Sequence, residues 1–339
     1  MSTFTVNGRE VTVEQNQKLI RYLRDTLHLT SVKNGCSEGA CGTCMVLIDG
    51  KAVKSCVQQT DRLAGKHILT AEGLSRREKD VYAYAFSQSG AVQCGFCTPG
   101  MIMSAKGLLD QNPDPSRQDV KEALKNNICR CTGYKKIIDA VLLSAKFFRE
   151  HTQVPGGELP GVLGDSIRRV DADAKARGTA LYADDLYPEG LLLASAVRSA
   201  YPRARVLSID TSPAMQIEGV VAVYTSDDVP GEKVIGHIVQ DYDVMIPVGG
   251  ITRFLGDAIA LVVAENEAAL AAGKTAVKVE YDPLTPVFSP EESMREDAPQ
   301  VHEGHDNLLS FQCVKRGNPD EAIRNSAHVV TNHYSVPFT

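Results

Sequence analysis

The chain lacks the features that would tie it to nucleic acid or to a membrane. Lys and Arg number 36 against 42 Asp and Glu, a formal net charge of −6 over 339 residues, so no basic excess draws it to phosphate backbones or anionic lipid. Its longest apolar runs, Leu191 to Val197 and Ala258 to Ala264, fall far short of the ~20 residues of a membrane span. The N-terminal MSTFTVNGRE has no apolar core of the secretory kind, and a cytoplasmic location is expected. Gly-x-Gly-x-x-Gly, P-loop and nucleophile-elbow patterns are missing. Tryptophan is absent, which by itself decides nothing. With 43% hydrophobic and 23% charged residues the chain is neither disordered, collagen-like nor coiled coil, and its length suits about two domains. Cysteine is nearly missing from the last two-thirds, where only Cys313 occurs, and a lone cysteine there reads as a small buried hydrophobe.

What is present is a concentration of the other eight cysteines between Cys36 and Cys131. Without an export signal the thiols stay reduced, so the cluster reads as metal binding before disulfide. Cys36-x4-Cys41-x2-Cys44, followed by Cys56, has the plant-type [2Fe–2S] spacing. Three thiolates would come from one loop in which Gly35, Gly39 and Gly42 allow unusual backbone angles and close approach. The fourth would return on a hairpin: strand 45–48, a turn at Asp49-Gly50, and a partner strand over 51–57 that brings Cys56 back to Cys44. Zinc, which favours Cys-x2-Cys pairs at both ends, leaves the Cys36-x4-Cys41 step unexplained. Cys94-x2-Cys97 and Cys129-x-Cys131 form a second set. On spacing alone it admits structural zinc or a redox pair as well as a cluster. Beside a ferredoxin-type loop, a second [2Fe–2S] is the stronger reading. Helix N-termini near Cys97 and Cys131 should lower thiolate pKa values.

Periodicity supplies the frame. Asn7-Gly8 between β-like runs predicts a hairpin. Leu19, Ile20, Leu23 and Leu27 share one helical face. Ser75 and Glu78 have the capping-box form, opening a helix to about Ser89 that Gly90 can stop. Thr98-Pro99 starts a second helix to about Asp110, Ser116 a third to about Asn127, and a fourth spans about 133–150. All four sulfurs of the second set would then meet at one end of this bundle. The Gly- and Pro-rich stretch 151–165 is expected to be a linker. From about 176 the pattern is α/β, with strands at 194–197, 219–224, 259–263 and 277–281, a helix over 265–276, and a last strand over 329–336. That strand runs into Thr339 without a polar tail, so the domain is expected to continue, in a longer polypeptide or on another one. His302-Glu303-Gly304-His305 lacks the His-Glu-x-x-His spacing and reads as a loop. Asp184-Asp185 reads as a turn before a strand.

At this point GCSEGACGTC (35–44), QCGFCTPG (93–100) and ICRCTGY (128–134) resemble the iron–sulfur part of the molybdenum hydroxylases, the xanthine dehydrogenase and aldehyde oxidoreductase family. Arg177 to Tyr182 with Asp184-Asp185, Val197-Arg198-Ser199 with Pro202-Arg203-Ala204, Arg253 to Asp257, and Val279-Glu280-Tyr281 with Pro283-Leu284 resemble the start of its molybdenum-binding part. The match is closest to bacterial, particularly selenium-dependent, xanthine dehydrogenases. The resemblance implies an α+β multidomain chain: a β-grasp ferredoxin-like domain over 1–75, a four-helix [2Fe–2S] domain over 76–150, a linker over 151–175, a mixed α/β domain over 176–290, and a truncated molybdopterin-binding domain from 291. It implies two [2Fe–2S] clusters held by Cys36, Cys41, Cys44 and Cys56 and by Cys94, Cys97, Cys129 and Cys131. Gln93 would hydrogen-bond the pterin of a molybdenum cofactor, which Cys131 would also touch; the plain alternative for Gln93 is a helix-end cap. No catalytic residue falls in this chain, since the family's glutamate and most cofactor contacts lie beyond Thr339.

The implied activity is hydroxylation of a purine such as xanthine or hypoxanthine, with electrons leaving molybdenum through the clusters. An aldehyde oxidoreductase is the alternative within the family; a ferredoxin-like carrier without molybdenum and a zinc-stabilised interaction protein are the alternatives outside it. The partners implied are the rest of the molybdenum-binding part, a separate FAD-binding subunit because no flavin domain intervenes, and a second copy of the chain.

Overall fold

The computed structural model describes residues 1–155, 163–164, 167–237 and 239–336. It divides into two compact units, Met1–Tyr187 and Pro188–Thr339. No helix among the described residues is long and apolar enough to cross a membrane.

The first unit opens with the hairpin that Asn7-Gly8 predicts, β1 (Ser2–Val6) and β2 (Arg9–Val13), with both turn residues at positive φ. The helical face at 19–27 forms α1 (Leu19–Arg21), which runs on as a π-helical turn, Tyr22–Thr26. Strands β3 (Met45–Ile48), β4 (Lys51–Lys54) and β5 (His67–Leu69) complete a sheet of order β2-β1-β5-β3-β4, parallel only between β1 and β5. Phe4, Val6, Leu19, Leu23, Val46 and Ile68 close its core. The partner strand expected over 51–57 stops at Lys54, and Ser55–Val57 is a 3-10 turn instead. The register pairs Met45 with Lys54, so a continued strand would set Cys56 opposite Thr43, on the other face from Cys44. The turn re-aims it.

Four helices follow: α2 (Arg76–Gln88), α3 (Thr98–Leu109), α4 (Arg117–Leu124) and α5 (Lys135–Arg149). Ser75–Glu78 and Ser116–Asp119 both form complete capping boxes. Cys97, rather than Thr98, occupies the N-cap of α3, and α4 ends at Leu124, short of Asn127. Phe86, Met101, Ile102, Val120, Ile137 and Val141 share one core. Helix α3 lies against the end of β3, and Gly100 makes this possible, because a Cβ there would come 2.7 Å from the Thr43 carbonyl oxygen.

The stretch expected to be a linker over 151–175 falls partly outside the described residues. Its end folds as α6 (Ala172–Arg177), whose Ala172 and Ala176 are buried in the helical core. Arg177 bonds Asp80 of α2 at 2.8 Å. Beyond it, Ala183–Asp185 is a 3-10 turn that no strand directly follows, and Asp185 is fully buried. Its carboxylate meets Lys33 at 2.5 Å and Arg24 at 3.0 Å, both buried. Burial pushes the Asp185 carboxyl up, but the Lys33 ammonium, the Tyr182 N–H and Arg24 more than offset this, and its pKa falls below the usual range.

The second unit holds two three-stranded sheets, all antiparallel. One has order β6 (Leu193–Arg198), β12 (Ala258–Ala264), β8 (Val220–Tyr224); the other β11 (Ile251–Thr252), β7 (Ala204–Asp210), β13 (Lys278–Pro283). Helix α8 (Glu267–Ala276) covers β12, and α7 (Ser212–Met215) adjoins it. Asp257 is buried and accepts from the N–H groups of Arg253 and Phe254, which closes the turn before β12. Two expectations fail here. Residues 329–336 form no strand and are exposed, because no neighbouring strand offers a ladder to this β-prone run; 337–339 lie outside the described residues. Cys313 is exposed rather than buried. His302–His305 lies in a loop, as read.

Two substitutions test this packing. Asp185→Asn leaves the Lys33 and Arg24 charges buried without their shared anion, and is expected to cost about 3–5 kcal/mol in urea denaturation. Because the folded pKa of Asp185 is depressed, its contribution is present above its unfolded value of about 4 and disappears as pH falls through the folded value. The difference between wild type and Asp185→Asn should therefore shrink in acid. Asn127→Ala leaves the Gly42 carbonyl and the Ser104 hydroxyl, both bonded to its amide, without a partner, and should cost about 2 kcal/mol or more by the same measurement.

Candidate iron–sulfur sites

The loop 34–44 wraps Cys36, Cys41 and Cys44, and the 3-10 turn at Ser55 delivers Cys56. Ser55 donates from both its N–H and its hydroxyl to the Cys44 carbonyl, at 3.1 and 2.9 Å, which draws the two cysteines together. The sulfur of Cys36 accepts from the Cys41 N–H at 3.3 Å. Gly39 and Gly42 take positive φ, whereas Gly35 does not; a Cβ on Gly35 would come 2.9 Å from the Cys41 sulfur. Lys18 and Lys54 donate to the Ser37 and Gly39 carbonyls at 2.9 and 2.7 Å and pin the outer rim.

Electrostatics differ across this set. Burial pushes the Cys36 thiol up, but N–H groups of Cys41, Glu38 and Ala40 outweigh it and bring the pKa to about 6. Cys56 is buried against Cys44, and burial with that neighbouring sulfur pushes it up to about 12. One end of the set is ready to be a thiolate; the other needs a cation to become one.

The second set gathers at the end of the helical bundle. Cys131 and Cys94 sulfurs stand 3.5 Å apart, and the Cys97 and Cys129 thiols are in hydrogen-bond contact. Cys97 and Cys129 are buried; Cys94 and Cys131 are exposed. The expected lowering by helix N-termini does not hold throughout. Burial raises the Cys97 thiol, together with the neighbouring Cys129 and Cys94 sulfurs. For Cys129 burial also acts upward, but the Thr132 hydroxyl and the N–H groups of Cys131 and Thr132 bring it down. Gln93 is exposed, and its carbonyl accepts from Lys175 at 3.2 Å, so it caps no helix. Each set thus offers four thiols in a loop rich in aimed N–H groups, a donor set that fits a [2Fe–2S] cluster. None of the cysteines is in a disulfide.

Several residues that position these loops escaped the sequence reading. Ile128 N–H donates to the Cys41 carbonyl at 2.8 Å, and Asn127 donates from its amide to the Gly42 carbonyl at 3.0 Å. One peptide therefore separates the first loop from Cys129. The fit is tight: a Cβ on Gly42 would lie 2.1 Å from the Asn126 carbonyl oxygen. Tyr134, in a left-handed conformation, donates to the Asn127 carbonyl at 3.1 Å and accepts from the Cys129 N–H at 2.9 Å. Tyr182 donates to the Cys94 carbonyl at 2.8 Å; burial, then the Cys94 sulfur, push its phenol up to about 12, so it keeps its proton. Only the local motif around Tyr134 carried any signal of these roles.

The comparisons agree with this geometry. Residues 4–70 match the 2Fe-2S iron-sulfur cluster binding domain, 70–142 the [2Fe-2S] binding domain, and 177–285 the a/b hammerhead domain of aldehyde oxidase and xanthine dehydrogenase. The aldehyde oxidoreductase of Megalodesulfovibrio gigas is 38% identical over 96% of this chain. The chain spans only 38% of that protein's length. The nicotinate dehydrogenase small FeS subunit of Eubacterium barkeri is 44% identical over 42% of this chain and 94% of its own. The solved aldehyde oxidoreductase from Desulfovibrio gigas superposes with a TM-score of 0.86 at 35% identity, over 96% of this chain and 38% of that one. Two [2Fe–2S] binding domains followed by a hammerhead domain, with eight thiols set as such clusters require, place the chain in the molybdenum hydroxylase family, as its iron–sulfur electron-transfer part with the beginning of the catalytic part.

Proposed function

We propose that Cys36, Cys41, Cys44 and Cys56 hold one [2Fe–2S] cluster, that Cys94, Cys97, Cys129 and Cys131 hold the other, and that the whole enzyme oxidises an aldehyde. When bound, the clusters supply one-electron transfer between molybdenum and an external acceptor. The observation that carries the first part is the direct contact between the two loops, Ile128 N–H to Cys41 carbonyl, which keeps the two donor sets one hydrogen bond apart through backbone. The exposed pair Cys94 and Cys131, with Gln93 beside it, is the face we assign to the molybdenum cofactor, where an amide can serve a pterin edge as donor and acceptor. The buried first set then faces the acceptor side.

For the substrate, the supporting observation is similarity along 96% of the chain to a protein named aldehyde oxidoreductase. The purine reading rests on the motifs alone and stands second. The remaining catalytic machinery would lie outside this chain, as continuation or separate subunit. A flavin, where the enzyme uses one, would sit on a further subunit. A cytoplasmic location and pairing with a second copy belong to the same proposal, as do domain boundaries near 75 and 150, a linker to 175, and the start of a molybdopterin-binding domain at 291.

Anaerobic purification with metal analysis and EPR of the reduced chain tests the ligand assignment. About four irons per chain, acid-labile sulfide and two distinct [2Fe–2S] signals are expected. Zinc in place of iron, without sulfide, would remove the electron-transfer reading. Cys94→Ser is expected to alter one signal, leave the other intact, and block reduction of an external acceptor in the complete enzyme. An unchanged rate would sink the assignment. In the complete enzyme, kcat/KM for aldehydes should exceed that for xanthine and hypoxanthine; the reverse order would restore the purine reading.

A further inference from the structure

The segment Asp171–Tyr187 touches both cysteine loops, although neither carries its sequence neighbours. Lys175 donates to the Gln93 carbonyl at 3.2 Å, and the Tyr182 hydroxyl donates to the Cys94 carbonyl at 2.8 Å. The Tyr182 ring meets Phe96 edge-on, with centroids 5.3 Å apart. The Lys33 ammonium lies 4.5 Å over the Tyr182 ring and 2.5 Å from the Asp185 carboxylate, which also accepts from the Tyr182 N–H at 3.0 Å. On its other side, Lys33 offers its carbonyl to the Thr43 hydroxyl at 3.2 Å, and that hydroxyl stands 3.3 Å from the Cys41 sulfur. One chain of contacts therefore runs from Cys94 through Tyr182 and Lys33 to Cys41.

A cluster gains negative charge when reduced. Donors and cations aimed at its ligand loop favour the reduced form and raise its potential. Two carbonyl dipoles beside Cys94 would present their negative ends to the cluster's surroundings. The strap covers one with a phenol proton and the other with an ammonium. Cys94 is exposed, so no bundle side chain supplies that compensation from the protein interior.

We propose that Tyr182 is a positioning residue which, through the Cys94 carbonyl, raises the midpoint potential of the cluster held by Cys94, Cys97, Cys129 and Cys131, with Lys175 acting in the same sense through Gln93. This rests on the assignment of those four cysteines as ligands. The rigid mount is Asp185, which fixes the Tyr182 backbone while pairing with Lys33. The first cluster's potential does not depend on the Tyr182 hydroxyl.

The test is a redox titration of the full chain, followed by EPR, with Cys94→Ser identifying which signal belongs to the second set. Tyr182→Phe removes only the hydroxyl. It is expected to lower the midpoint of the second-set signal, leave the first unmoved, and keep iron and sulfide at wild-type levels. Lys175→Met should shift the same signal in the same direction. Thr179→Ala, on the same strap but bonded only to the Ala174 carbonyl, should move neither. Wild-type midpoints for both signals in a fully iron-loaded Tyr182→Phe would overturn the proposal while leaving the ligand assignment standing. Should Tyr182→Phe lose iron, Lys175→Met decides: a lowered second midpoint supports the proposal, and an unmoved one refutes it. A wild-type chain with one signal would refute the ligand assignment itself.

Discussion

Two hydrogen bonds between loops, Ile128 N–H to the Cys41 carbonyl and the Asn127 amide to the Gly42 carbonyl, are what the first unit depends on. A loop that wraps around thiols has its N–H groups turned inward to sulfur, and its carbonyls are left over. Buried carbonyls need donors. Here each cysteine loop supplies what the other lacks. Asn127 serves as the junction: its amide donates to Gly42, its side-chain oxygen accepts from Ser104, and its carbonyl accepts from Tyr134. The near-contact of Gly42 with Asn126 permits one register only. The same bonds that satisfy the backbone thus hold the two thiol sets at a fixed, short separation.

Burial and aimed N–H groups compete at every thiol, and the winner differs by position. At Cys36 the loop N–H groups win; at Cys56 and Cys97 burial wins. The buried thiols give up their protons only when a cation arrives, so metal loading and the final packing of these loops are coupled. The buried triad of Arg24, Lys33 and Asp185 follows the same rule with permanent charges, each one tolerated because its partner is within hydrogen-bond reach. Because that triad fastens residues 184–185 to the ferredoxin-like sheet, the first ten or so residues of the hammerhead match, 177–187, belong to the first compact unit.

Much of the fold was legible where short-range chemistry decides. Asn7-Gly8 turned a hairpin, and Ser75 with Glu78 and Ser116 with Asp119 each closed a capping box within four residues. Long-range demands were not legible. The pleat of β4 had to break at Ser55 because Cys56 must face Cys44. Residues 172–177 became helix because Ala172 and Ala176 found a groove in the bundle core. The β-prone run 329–336 stayed irregular because a strand needs a partner, whatever its own propensity.

By itself the sequence determined which atoms could hold iron, since eight cysteines at these spacings, with glycines beside them, admit few other chemistries, and it determined the family to which the chain belongs. It could not determine how the two sets are joined, or which thiols are buried. Those depend on Asn127, Ile128, Lys33, Tyr182 and Asp185, residues of ordinary type that lie up to 152 positions from their partners, as Asp185 does from Lys33. A side chain's role in satisfying a distant carbonyl or charge leaves no local pattern. It exists only once packing has removed water and left each polar group one partner to find.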